Sequence, residues 1–123
     1  MPNRGRAVTW TGKTVLILED EPIIAMCLED MLLDNGAQVI VSGTVTQALA
    51  ALGRASPDCA VLDVNLHGEK SYPVAARLDE LGVPFVFATG YGDAEHPPRF
   101  AKCPTITKPY QFSQIREQLE CGD

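Results

Sequence analysis

No stretch of this sequence approaches the roughly 20 apolar residues of a membrane span. The two arginines near the N-terminus are not followed by an apolar segment of signal-peptide length. Membrane insertion is therefore not expected, and the expected location is the cytoplasm. Cysteine is sparse in pattern as well as in number: Cys27, Cys59, Cys103 and Cys121 include no C-x-x-C pair. This spacing predicts separate thiols in a reducing compartment and no zinc site. Only two histidines are present, His67 and His96, neither with a ligand partner at useful spacing, and both read as loop residues. Basic charge is scarce, with 10 Lys and Arg against 16 Asp and Glu and a net charge of −6. Binding to nucleic acid or an anionic membrane through bulk charge is excluded. There is no G-x-G-x-x-G, and Gly12-Lys13-Thr14 is not the end of a phosphate-binding loop, because Ala7 stands where its first glycine is required.

What is present is an ordinary soluble composition, 46% apolar and 21% charged, in 123 residues. That suffices for one core and is short for two. Arg4, Arg6 and Lys13 lie within residues 1–13, which hold no acid, so the acidity is carried by the rest of the chain. Residues 1–13 read as a flexible arm, residues 14–120 as the domain and residues 121–123 as a tail.

Along the domain, short apolar runs alternate with helical periodicity. Thr14–Asp20 reads as a buried strand. Pro22 opens a helix with Ile24, Leu28, Met31 and Leu32 inward, stopped by Asn35-Gly36. A second strand covers 38–41. Thr44 and Gln47 fit a capping box for a helix with Ala48, Leu49 and Leu52 on its apolar side. Strand 59–62 delivers Asp63, and a loop through Gly68 leads to a helix over about 71–81 with Val74, Leu78 and Leu81 inward. Strand 85–88 follows. The Gly- and Pro-rich stretch 90–98 predicts a short, irregular or mobile fourth helix. A brief strand at 105–107 and a helix marked by Phe112, Ile115 and Leu119 complete the pattern. Five strands alternating with helices predict an α/β doubly wound parallel sheet.

In such a sheet, functional groups collect beyond the C-terminal ends of the strands. Those ends carry Glu19-Asp20-Glu21, Asp63, Thr89 and Lys108. Each has an ordinary alternative as a helix cap, an Asx turn or a solvated cation. Together they are the parts of one phosphoryl site. Clustered carboxylates require a cation, and an oxygen-only shell suits Mg²⁺. A carboxylate beside it is a nucleophile toward phosphorus, with Lys108 and Thr89 on the phosphoryl oxygens.

The ordered set Glu19-Asp20-Glu21, Val61–Leu66, Thr89-Gly90 and Lys108-Pro109 strongly resembles the receiver domain of two-component response regulators. The resemblance runs from about Thr14 to Leu119. It implies a flavodoxin-like five-stranded sheet in order 2-1-3-4-5, with Asp63 as phospho-acceptor. Glu19, Asp20 and Asp63 would hold Mg²⁺ with the backbone carbonyl of Asn65, while Thr89 and Lys108 would bind the phosphoryl group. Asn65 and Tyr91 would tune dephosphorylation. Receivers usually place an aromatic three residues before the lysine, and here that residue is Thr105. Residues 84–92, PFVFATGYG, resemble the signature of the FATGUY subclass, whose members lack that aromatic and are often paired with HWE-type histidine kinases.

The implied function is a stand-alone receiver, phosphorylated by a histidine kinase or a histidine phosphotransfer protein. It would signal by protein contact or drain phosphate from a kinase, as a possible homodimer and not as an enzyme on other substrates. The competing readings are a Mg²⁺-dependent phosphohydrolase with an aspartyl nucleophile, and an interaction module that never carries phosphate. The hydrolase reading is weakened by Asn65, which stands where an acid/base Asp is needed.

Overall fold

The computed structural model describes residues 10–89, 97–100, 103–108 and 113–115. Its elements are β1 (Thr14–Leu18), α1 (Pro22–Asp34), β2 (Gln38–Ser42), α2 (Val45–Leu52), β3 (Cys59–Asp63), β4 (Asn65–Leu66), β5 (Glu69–Lys70), α3 (Tyr72–Leu81), β6 (Phe85–Thr89), a 3₁₀ turn (Pro98–Phe100) and β7 (Thr105–Thr107). Residues 113–115 are helical. The main sheet is parallel, in order β2-β1-β3-β6-β7. This is the expected 2-1-3-4-5 topology once the two short strands β4 and β5 are counted. The irregular fourth helix foreseen over 90–98 falls largely outside the described residues.

The period-two alternation of the strands sorts the core into two layers. Leu16, Leu18, Ala60, Leu62 and Phe87 face Val45, Ala48, Leu52, Val74 and Leu78 of α2 and α3. Val15, Ile17, Val61, Val86 and Ala88 face Leu28 and Leu32 of α1, together with Ile106 and Ile115. Strand β3, paired on both sides and covered on both faces, is buried at all five positions. The capping box forms as foreseen: Thr44 Oγ1 accepts from Gln47 N at 3.1 Å, while the Gln47 side chain reaches back to Gly43 N at 2.9 Å.

Four expectations are corrected. Trp10, assigned to a flexible arm, is 1% exposed and belongs to the α1-side core. Its segment is held by Gly12 N donating to Gly36 O at 3.0 Å. Gly36 sits at φ 88°, and a Cβ there would lie 2.7 Å from Thr11 Oγ1, so the turn after α1 accepts the segment only as glycine. A lone indole before the first strand has no periodicity to announce its burial. Second, Leu49 and Leu81 are exposed instead of inward, because Val45 and Ala51 complete the buried face of α2 and α3 ends at Gly82 in the left-handed region. Third, the loop through Gly68 is a two-stranded antiparallel hairpin with Asn65 opposite Lys70 and Leu66 opposite Glu69. Fourth, Cys27 and Cys103 are free, but Cys59 is disulfide-bonded. Spacing along the chain carries no information on a pairing made by the fold.

The burial of Trp10 has a measurable consequence. Trp10→Ala is expected to lower unfolding free energy by about 3 kcal/mol or more. Ile23→Ala on α1, where the side chain is 76% exposed, should shift it by less than about 0.5 kcal/mol. Urea denaturation of the two variants checks both.

Candidate phosphoryl-transfer site

The parallel register brings the predicted residues to one edge of the sheet. Asp63 is the last residue of β3 and pairs with Ala88. Glu19 follows β1, its backbone N–H bonded to Ser42 O at 3.0 Å. Thr89 ends β6, and its carbonyl accepts from Lys108 N at 2.7 Å, which fixes the lysine just beyond β7. Glu19, Asp63 and Thr89 are all buried, at 4%, 6% and 4% exposure.

Lys108 joins them. Its Nζ lies 2.7 Å from Glu19 Oε1, 3.0 Å from Asp63 Oδ2 and 3.7 Å from Glu21 Oε1. Glu19 Oε2 also accepts from Glu21 N at 3.2 Å. Burial pushes the Glu19 carboxyl up from 4.5 to about 7, against the Lys108 hydrogen bond and with the help of the Asp63 charge. Burial likewise raises Asp63, opposed by hydrogen bonds from Lys108 and Glu19. Burial alone would lower the Lys108 ammonium, but its two carboxylate partners outweigh that and raise it. One ammonium is thus shared by acids that burial and mutual repulsion push toward their neutral forms.

Asp20 has a different side-chain partner. Its Oδ2 is 2.5 Å from His67 Nδ1, and its side chain is 12% exposed. Glu19, Asp20 and Glu21 offer oxygens within 4.8 Å of one another. Glu21 is the residue before α1 but makes no side-chain cap, so the ordinary reading of these acids as helix caps does not hold for it. Asn65 is exposed, and its Oδ1 accepts from Gly68 N at 3.1 Å, closing the hairpin turn. Thr105 is exposed and its hydroxyl donates to Cys103 O at 3.3 Å. Tyr91 lies outside the described residues. His67 is the site neighbour that the sequence reading left out: its partner is far away along the chain, and no spacing rule joins the two. A separate cavity of about 420 Å³ opens at the opposite ends of the strands, beside Pro84, Phe85, Phe100 and Cys103, away from these groups.

The family model for the response regulator receiver domain matches residues 15–120. The chain belongs to this family. The receiver SdrG from Sphingomonas melonis Fr1 is 44% identical, with a TM-score of 0.74 over 89% of this chain and 94% of that one. The receiver domain of PhyR from Erythrobacter litoralis is 32% identical, with a TM-score of 0.71 over 88% of this chain and 87% of the other. The probable transcriptional regulatory protein TcrX of Mycobacterium tuberculosis is 29% identical over 83% of this chain, which spans 46% of TcrX. The chain thus covers about half or less of the curated relatives it matches. Receiver domains are signalling modules of two-component systems, and the receiver domain of the sensor histidine kinase PA1611 from Pseudomonas aeruginosa PAO1 holds a magnesium ion in its active site cleft. No described helix is long and apolar enough to cross a membrane.

The carboxyl of Glu19 links folding to pH. The folded state keeps a proton between about 4.5 and 7 that the unfolded state has already lost, so stability is greatest below this window and falls as pH rises through it. Without divalent cation, raising pH from about 5 to about 8 should lower stability by on the order of 1–3 kcal/mol. Glu19→Gln should flatten that slope in thermal melts.

Proposed function

We propose that Asp63 accepts a phosphoryl group from a phosphohistidine on a histidine kinase or a histidine phosphotransfer protein. The observation that carries this reading is the Lys108 ammonium 3.0 Å from Asp63 Oδ2 and 2.7 Å from Glu19 Oε1, at the carboxyl ends of a receiver sheet. In the step, a carboxylate oxygen of Asp63 forms a bond to phosphorus as the P–N bond to the donor imidazole breaks. The products are an acyl phosphate and a neutral imidazole once its nitrogen has taken a proton. Lys108 stays beside the oxygen it already holds and offsets charge that arrives with the phosphoryl group.

The donor set suits Mg²⁺: carboxylates of Glu19, Asp20 and Asp63, with the Asn65 carbonyl as the further oxygen. Bound there, the ion supplies charge neutralisation for the transferring oxygens. Thr89, buried at the end of β6 and tied through its carbonyl to Lys108, would bind the phosphoryl group through its hydroxyl. The hydrolase alternative is disfavoured by Asn65, whose side-chain oxygen is committed to the hairpin turn.

Helix α1 gives the donor a face. Ile23, Met26 and Leu33 are 76%, 60% and 50% exposed on the helix that begins directly after Glu21. Ile23 and Met26, in the first turns of α1, offer an apolar ridge near Glu21, fit for a helical phosphodonor, while Leu33 lies at the far end of the helix. The further parts of the reading are a receiver spanning 14–120, a cytoplasmic setting, an HWE-type kinase as donor, a homodimeric form, and output by protein contact or by draining phosphate. They rest on the family and on the FATGUY-like stretch at 84–92. SdrG has a BeF₃-activated conformation, which makes beryllofluoride the natural probe.

Two results are expected. Asp63→Ala should abolish labelling by both acetyl phosphate and a phosphohistidine donor, and labelling that persists would overturn the acceptor assignment. Ile23→Ser combined with Met26→Ser should slow transfer from the protein donor by about tenfold or more, while acetyl phosphate labelling stays within about twofold. A double variant that slows both equally would remove the docking role of the ridge.

A further inference from the structure

β2 lies at an edge of the main sheet, with no strand beyond it among the described residues. Edge strands are ordinarily blunted by a lysine, a proline, a bulge or an inward charge. This one has none of them. Gln38–Ser42 runs in unbroken register beside Thr14–Leu18, and its sequence, QVIVS, holds no charge and no proline. The neutral stretch is longer than the strand: between Asp34 and Arg54 there is no Asp, Glu, Lys, Arg or His. Helices α1 and α2 both pack against β2, and these three elements supply the exposed Leu33, Leu49 and Val41. The backbone of the edge is open as well. Gln38 N donates to Lys13 O at 2.7 Å, and Ser42 O accepts from Glu19 N at 3.0 Å. Strand residues turn their backbone groups to alternate sides. Gln38, Ile40 and Ser42 therefore face β1, while Val39 and Val41 turn N–H and C=O outward.

We propose that this edge pairs with the same edge of a second copy, antiparallel about Ile40, joining two sheets into one. Three properties select a copy of this chain as the occupant. The strand is close to a palindrome, so Val39 falls opposite Val41 of the second copy, and Gln38 opposite Ser42. Each Val39–Val41 pair then exchanges two hydrogen bonds, using the groups that β1 leaves free. The faces match too. Val39 packs on the α1-side cluster and Ile40 on the α2–α3-side cluster, and a two-fold axis normal to the sheet makes each side continuous with the same side of the copy. Finally, a chain of net charge −6 meets its own copy with least repulsion along a border that carries no charge. The inference rests on the homodimeric part of the proposed function, to which it gives a surface, and not on phosphoryl transfer to Asp63.

Sedimentation equilibrium and amide hydrogen exchange on the full chain test it. Wild type should pass from monomer toward dimer as concentration rises, and the amides of Val39 and Val41 should exchange more slowly over the same range. Val41→Lys sets a charge on the paired border and should weaken dimerisation by about tenfold or more. Val41→Pro removes an outward N–H that the monomer does not use and should do the same. Leu81→Lys, an equal change of charge on α3, should leave the dimer constant within about twofold. Val41→Lys should still take label from acetyl phosphate as wild type does, which separates failure at the edge from failure at Asp63. A chain that stays monomeric, a dimer that survives Val41→Lys, or Val39 and Val41 amides whose exchange does not change with concentration would overturn the self-pairing. Protection of those amides gained only on adding a different protein would overturn it in favour of a foreign strand.

Discussion

The arrangement depends on one ammonium placed among buried acids. Lys108 reaches Glu19 and Asp63 at hydrogen-bond distance and Glu21 at 3.7 Å, with its side chain 12% exposed. Without that charge, two carboxylates at the ends of adjacent buried strands would repel at close range in a poorly solvated place. One positive charge cannot neutralise them all. The imbalance shows in the Glu19 carboxyl, held at about 7. A site in that state gains from a second cation and from partners that bring one. The same feature thus links stability, ion binding and the chemistry proposed for Asp63.

The sheet is what makes the sharing possible. Because β1, β3, β6 and β7 run parallel, their carboxyl ends meet at one edge, and residues remote in sequence become neighbours without any loop having to carry them there. Glu19, Asp63, Thr89 and Lys108 were legible for that reason. Each follows a short apolar run, and the alternation of strand and helix dictates where such residues end up. The helix boundaries at Pro22, Asn35, Thr44 and Gly82 were legible too, since each residue terminates a helix by its own backbone or side-chain chemistry. The receiver resemblance joined the same residues in one order, and the family match over residues 15–120 agrees with it.

What the sequence concealed has physical reasons in common. Strands β4 and β5 are two residues each, below any length at which alternation is visible. The left-handed conformation of His67 is adopted by histidine more readily than by most residues, yet it is not announced by a glycine at that position. Its approach to Asp20 follows from the closure of that turn and not from any periodic pattern. Leu49 and Leu81 look like core by composition, but alanines and valines had already filled the space beneath their helices. Thr105 is exposed, and its hydroxyl donates to Cys103 O just before its own strand.

Trp10 and Ile115 belong to the same apolar cluster beneath α1, with Val15, Ile17, Leu28 and Ile106 between them. That layer joins residues far apart in the sequence, Trp10 and Ile115 among them. During synthesis it stays open at least until Ile115 has left the exit tunnel, because Ile115 packs against residues made much earlier. Among the described residues, the last buried member of the α2–α3 layer is Phe100, which is made earlier. Synthesis therefore supplies, among the described residues, the buried side chains of one face of the sheet before those of the other.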